Sequence, residues 1–317
     1  MCEGHESFKQ DRHMKLSGAL FSFLASLSIV TAGFGGEESE SYARSETKSA
    51  EKVPLDVFEI ESGYVFESDL VHGGVSFGEQ YSFQSKFEYY HRFLIRDPIY
   101  LRLGLEYNRF DFGHTVAPVP VHLQSMAAVI GIDYMHGTDL GAFIWVKPGF
   151  YTEEHIGMPS FNAPITLGRV FTLQPDRLYL VVGLNADFLR GDYPVLPLAG
   201  LVWRPNEQWE VKALVPEPRV TYRPTEQFEV WVGGELAGGS FRTDHDPNIL
   251  PRKLDGAQVD YFEYRAGAGF VYSPTRNFSI DLGGGYAVQR QFAFTRADYY
   301  FRSDPAPYLR LEFTASF

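Results

Sequence analysis

The residues that could carry chemistry are few, and each belongs to a pattern with a competing plain reading. Gly74-Val75-Ser76-Phe77-Gly78 has the spacing of a nucleophile elbow. An elbow needs a strand-to-helix turn, whereas this stretch reads as a glycine-rich hairpin loop, and the nearest histidine, His72, has no motif around it. Asp244-His245-Asp246 with Asp255 offers oxygen ligands for a divalent cation, but a solvated acidic loop has the same composition and is the preferred reading. His91, His122, His136 and His155 are dispersed without paired metal spacing and read as hydrogen-bonding residues. No catalytic, cofactor-binding or metal-ligating residue is therefore assigned, no cofactor is expected, and the chain reads as a non-enzyme.

What the sequence holds in quantity is charge at regular positions. Glu59, Glu61, Lys86, Glu88, Arg92, Arg102, Glu106, Lys147, Asp187, Glu229, Glu235, Glu263, Arg265, Asp281, Arg310 and Glu312 all fall on the polar side of alternating segments. Two readings stand. Such a lining makes a polar pore whose field screens solutes by charge, or an interior ion-pair network that fills a narrow barrel and holds it rigid.

The elements that position these charges follow from the period. In Ile99 to Tyr107, Ile99, Leu101, Leu103, Leu105 and Tyr107 share one face, while Tyr100, Arg102, Gly104, Glu106 and Asn108 share the other. The segments at 178–188 and 277–289 behave the same way. The runs are longer than ordinary soluble strands, and repeated long alternation is the pattern of transmembrane β-strands with one lipid face and one wet face. Composition agrees: 317 residues with 27 Phe, 19 Tyr, 30 Gly and 19 Pro favour strands and turns. The mean hydropathy of −0.19 is too polar for a bundle of membrane helices. A net charge of −12 argues against nucleic acid as a partner.

A soluble β-sandwich or lipocalin-like barrel also alternates, and two features tell against it. The first is a repeat: Trp203-Arg-Pro205-Asn-Glu-Gln-Trp209 matches Tyr222-Arg-Pro224-Thr-Glu-Gln-Phe228, and Tyr272-Ser-Pro274-Thr-Arg-Asn-Phe278 keeps the frame. Leu173-Gln-Pro175-Asp-Arg-Leu-Tyr179 is a looser copy. Each proline is expected in a turn between strands, with the flanking aromatics forming a girdle at one water boundary. The second is the last segment, Tyr308 to Phe317, which alternates to its final aromatic residue.

Lys15 precedes an apolar stretch ending Val30-Thr31-Ala32, read as a cleaved secretory signal peptide over residues 1–32, with 1–13 read as an upstream extension before Met14. The apolar run is short for a spanning helix, which needs roughly 20 residues. Residues 33–55 read as a flexible periplasmic leader and 56–317 as the barrel. The single cysteine, Cys2, lies upstream of the cleavage site, so the mature chain has no disulfide chemistry.

With signal peptide, alternation and terminal aromatic together, the sequence resembles Gram-negative outer-membrane β-barrels. Residues 195–236 also resemble an uncharacterised family of such barrels, a domain of unknown function. The resemblance implies location in the cell outer membrane, contact with outer-membrane lipid and lipopolysaccharide, and recognition of Phe317 by the barrel-assembly machinery. It brings no activity with it. Outer-membrane phospholipases pair a serine with a histidine, which together with the Gly74–Gly78 spacing is the ground for a lipid-modifying-enzyme reading of Ser76.

The fold expected is an all-β, antiparallel up-and-down transmembrane barrel of 12 to 14 strands. Fourteen segments can be drawn, with short turns at 95–98, 136–138, Pro175, Pro205, Pro224 and Pro274 on the periplasmic side and long outward loops at 242–258 and 291–305. Val215-Pro216-Glu217-Pro218 is anomalous: it is short where an outward loop should be, and its flanking strands are too brief to cross, so 207–223 is a truncated hairpin in the twelve-strand alternative. The expected function is a passive, porin-like channel for small solutes. The alternative is a structural or adhesive barrel acting through its outward loops.

Overall fold

The computed structural model describes residues 53–137 and 139–317. The expected signal peptide and nearly all of the leader lie outside them. Seventeen β-segments follow one another: β1 (Asp56–His72), β2 (Val75–Arg96), β3 (Ile99–Phe112), β4 (His122–His136), β5 (Asp139–Val146), β6 (Gly149–Thr152), β7 (Phe161–Asn162), β8 (Ile165–Gln174) and β9 (Leu178–Ala186). Then come β10 (Val195–Asn206), β11 (Trp209–Ala213), β12 (Arg219–Thr225), β13 (Phe228–Arg242), β14 (Gln258–Thr275), β15 (Phe278–Phe294), β16 (Tyr299–Ser303) and β17 (Ala306–Ser316).

β5 with β6, β7 with β8, and β16 with β17 are single strands interrupted by an irregularity, so the wall has fourteen strands. It closes on itself because β1 pairs antiparallel with both β2 and β17. Closure leaves no unpaired edge at the join. The first and last strands of the wall are tied there: the Leu55 and Asp56 amides donate to the Phe317 carbonyl, and the Phe317 amide donates to the Asp56 carbonyl. Fourteen strands is the larger of the two counts expected, and the 207–223 hairpin is present within it as two truncated strands.

The alternation sorts the residues as the pattern requires. Ile60, Leu103, Leu105, Ile132, Ile144, Leu184, Val232 and Leu309 are exposed on the outer face. The polar rows opposite them are buried although they carry charge. Among the described residues no helix is long and apolar enough to cross a membrane, which does not bear on crossing by strands.

Three expectations about turns need correction. Pro205, Pro224 and Pro274 are not in the turns but in the last strand positions before them, and each sits in a register shift, between Trp203 and Asn206, Tyr222 and Thr225, and Tyr272 and Thr275. A residue without an N–H fits where the ladder is already broken. The turn residues are then 207–208, 226–227 and 276–277. The hairpin near Ser76 is also tighter than expected: Gly73 and Gly74, both at positive φ, make a two-residue turn and place Ser76 in β2. The outward loop expected at 291–305 is largely strand, since β15 continues to Phe294 and pairs with β16.

Candidate functional site

The lumen is the candidate site, and it is filled in three layers. At the short-turn end, Met135, Leu140, Phe143, Trp145, Val181 and Leu214 form an apolar cluster, with Val53 packed against it. At the loop end, Phe110, Phe112, Phe241, Tyr261, Phe292 and Phe294 belong to a larger aromatic core. Edge-to-face ring pairs hold it, for example Phe112 to Tyr261 and Phe112 to Phe292, each with centroids 4.8 Å apart.

The charged layer lies between. Arg310 donates to Glu61 at 3.1 Å, Asp281 at 3.1 Å and Glu217 at 3.2 Å, and also to Glu312. Arg265 bonds Glu263 through Nε at 2.8 Å and Glu235 at 3.0 Å, while Ser82 of β2, four strands round the wall, donates to Glu263. Lys86 pairs with Glu59 at 2.9 Å, and Lys147 with Glu106 at 2.7 Å and Glu88 at 3.3 Å. Arg92 and Arg102 share Asp133. Asp187 accepts from Asn162, and Glu229 pairs with Arg223 near the short-turn rim. All sixteen charges read from the sequence therefore lie on the inner side of the wall with a partner there. A cavity of about 70 Å³ remains in the middle, lined by Lys86, Glu106, Glu217, Glu235 and Phe241 among others.

Two members of the network, Asp133 and Glu217, are absent from the charges read in the sequence. Asp133 is fully buried and accepts from Arg92, Arg102 and the Trp145 indole N–H at 2.7 Å. Its position in the polar row of β4 could have found it. Glu217 could not be found this way: it belongs to the Val215–Pro218 turn, expected outside, yet it is buried and bonds Arg310 and Arg219. The hairpin folds inward because the Pro216 and Pro218 carbonyls accept from Leu236 and Gly234 of β13.

That hairpin also leaves the wall low. Above Leu201, β10 keeps β9 as its ladder partner, and above Leu236 the ladder of β13 is with β14. The segment 187–194 lies across this gap. Leu189 is buried in the aromatic core, Arg190 donates to Asn185 at 3.1 Å, and the Gly191 amide donates to Asp260 at 3.2 Å. The outer end of β13 bends at Gly238, with φ of 134°, where a Cβ would stand 2.0 Å from the Tyr261 carbonyl oxygen. From there it leans across the mouth until Arg242 bridges Thr152 of β6.

The other motifs resolve simply. Ser76 Oγ donates to Asp69 at 2.6 Å, and His72 Nδ1 lies 2.6 Å from the Tyr300 carbonyl, so serine and histidine are not paired with each other and the turn is strand to strand. His245 pairs with Asp255 at 2.8 Å, and His155 with Asp244 at 2.6 Å. Glu154, His155 and Asp244 bring ligand atoms together at the outward loops. The girdle aromatics Trp203, Trp209 and Tyr272 are exposed at the short-turn rim, and the rings pair across strands, Trp209 on Tyr222, Phe228 on Phe270 and Phe278 on Phe313.

No protein-family model matches the chain, and no curated protein matches it by sequence. Among solved structures it is similar to a mutant of the TodX monoaromatic hydrocarbon channel, at 11% identity, covering 92% of this chain and 98% of that one, with a TM-score of 0.46. An outer-membrane channel from Pseudomonas putida F1 is similar at 11% identity, over 86% and 100% of the two chains, with a TM-score of 0.43. The translocator domain of the autotransporter NalP from Neisseria meningitidis follows at 12%, 95% and 98%, with 0.36. Similarity this low is no guide to function.

Proposed function

We propose that this chain is an outer-membrane β-barrel that passes small solutes by a gated route, closed in the arrangement seen. The membrane reading is supported by the apolar outer face, the aromatic rim and short turns at one end, and the longer connections at the other. The observation that carries the gated route is the low wall between β10 and β13, filled by the segment 187–194 with the mid-lumen cavity behind it. A standing pore is not supported by the packing, because apolar clusters occupy both ends of the lumen and ion pairs bridge its middle. Of that segment Asp187 lines the cavity, and Leu189 and Arg190 anchor the turn that follows it, so displacing them frees the segment over the cavity without breaking any strand pair of the wall.

Planar-bilayer conductance tests this. The wild-type barrel is expected to be nearly silent in salt, and the double variant Leu189→Ser, Arg190→Ser to show ion steps. A variant that keeps heat-modifiable migration yet conducts no more than wild type refutes the gated route.

A second reading, a surface barrel acting through its loops, is favoured by one specific observation. Val116, Ile156, Met158 and Leu250 stand exposed on the outward connections, where apolar side chains gain nothing from water. Binding of the folded barrel to lipopolysaccharide or to cells, lost in the quadruple serine variant, would support it.

A further inference from the structure

The wall has a second imperfection, at the opposite end. The ladder between β5 and β8 runs only from Val146↔Ile165 to Ala142↔Arg169. Below Arg169, β8 continues to Gln174 against β9, while β5 shifts register against β4 between Tyr134 and Met135 and ends at Asp139. Gly141 is the extra residue of that bulge, and it and Leu140 have no ladder partner on β8, so the two strands part there.

The seam encloses a crevice of about 560 Å³ lined by Tyr134, Leu140, Ala142, Arg169, Val170 and Tyr179, together with Asp139. Its lining belongs to both sides of the wall. Tyr134 and Arg169 lie in the exposed outer rows, whereas Leu140 and Tyr179 are buried. Val170 packs against the apolar cluster that seals this end of the lumen. The crevice therefore runs from the lipid face toward a greasy floor. Its height is fixed by register: Trp203, in the aromatic rim, is level with Leu178, and Thr172 of the seam is paired with Tyr179, the next residue.

Arg169 is the telling residue. It stands in the outer row of β8 between Leu167 and Phe171, both exposed, and its guanidinium lies 4.9 Å over the Phe171 ring. Among the described residues no carboxylate pairs with it. Arg169 is paired with Val182, four residues in from the rim level of Leu178, and its side chain turns back toward the rim over Phe171. A cation facing lipid is unfavourable unless something anionic meets it, and toward the rim the available anion is a headgroup phosphate. Asp139 gives the crevice a half-buried carboxylate as well. A site with both signs suits a zwitterionic headgroup better than a simple anion.

We propose that the β5–β8 seam holds one phospholipid of the periplasmic leaflet, a phosphoethanolamine lipid, with its phosphate on Arg169, its ammonium toward Asp139 and an acyl chain in the crevice over Leu140, Val170 and Tyr179. This rests on the reading of the chain as a membrane barrel, not on the gated route. The lipid completes a wall that the protein leaves open, and so seals the lumen from the side.

Native mass spectrometry of the refolded barrel in detergent, with dioleoylphosphatidylethanolamine or dioleoylglycerol added, tests the site. One phosphoethanolamine lipid is expected to stay bound to wild type. Retention should fall about tenfold or more in Arg169→Ala, where a charge-assisted contact is lost, recover in Arg169→Lys, and vanish in Ala142→Trp, which fills the crevice. Equal retention by wild type and Arg169→Ala, or equal retention of dioleoylglycerol, overturns the proposal. Heat-modifiable migration of the same samples separates the two failures: a wild-type chain without it refutes the membrane barrel, whereas a folded barrel with phosphate-independent binding refutes only the site.

Discussion

Asp133 offers the sharpest test of whether the lumen is packed. Its side chain is fully buried, with Oδ2 accepting from Arg92 Nε at 2.8 Å and from Arg102 Nη2 at 3.0 Å, and Oδ1 accepting from Trp145 Nε1. Asp133→Ala leaves two buried guanidiniums without their shared anion. Removing one partner of a buried ion pair costs about 3 to 5 kcal/mol. The residual support does not change that range much: Arg92 keeps the Pro54 carbonyl and the Tyr90 hydroxyl, and Arg102 keeps its stacking over Tyr90 and Trp145 at 4.0 and 4.4 Å. The unfolding constant should rise by about two to four decades. Asp133→Asn retains one oxygen for the guanidiniums but turns its amide toward the Trp145 N–H, and should cost about 1 to 3 kcal/mol. Reversible urea unfolding of barrels refolded in phospholipid vesicles, followed by tryptophan emission, measures both. A loss below about 1 kcal/mol in Asp133→Ala, the range of solvent-screened pairs, would falsify the packed lumen, since only water reaching both guanidiniums could absorb the change so cheaply.

Two further outcomes are expected. The His155 imidazole, hydrogen-bonded to Asp244, is held above its usual range, so the tie between the 153–160 and 243–257 connections is complete at pH below about 6.5 and is lost as pH rises through the higher folded value. Proteolysis within 153–160 should quicken on going from acid to alkaline pH, and a flat profile, or the same profile in His155→Gln, contradicts the assignment. Deleting Phe317 removes the rungs joining it to Leu55 and Asp56. Heat-modifiable protein recovered from outer membranes should fall steeply while refolding from urea in vitro persists, and unchanged recovery from cells removes the terminal recognition signal.

Much of the barrel was legible because the property that defines it is local. Period-two alternation depends on neighbouring residues alone, so the positions of Ile99 to Tyr107 predicted both a lipid face and a charged face before any partner strand was known. The repeated proline frames gave the side on which the short turns lie. They misplaced the prolines by one or two residues because a missing N–H favours a break in the ladder as readily as a turn. Glu217 was assigned to an outward loop because its burial depends on backbone bonds from Gly234 and Leu236, which no feature of Val215–Pro218 announces.

The sequence by itself thus determined the class of fold, the number of strands within two, and which side chains face inward. Only the tertiary structure decided what those inward charges do. Ser82 meets Glu263 across 181 residues and Arg310 meets Glu61 across 249, and such pairs exist only once the sheet has closed and its register is set. The same closure fixed where the wall is incomplete, above the 214–218 hairpin and along the β5–β8 seam. A gap in a ladder belongs to two strands at once, and neither carries it alone.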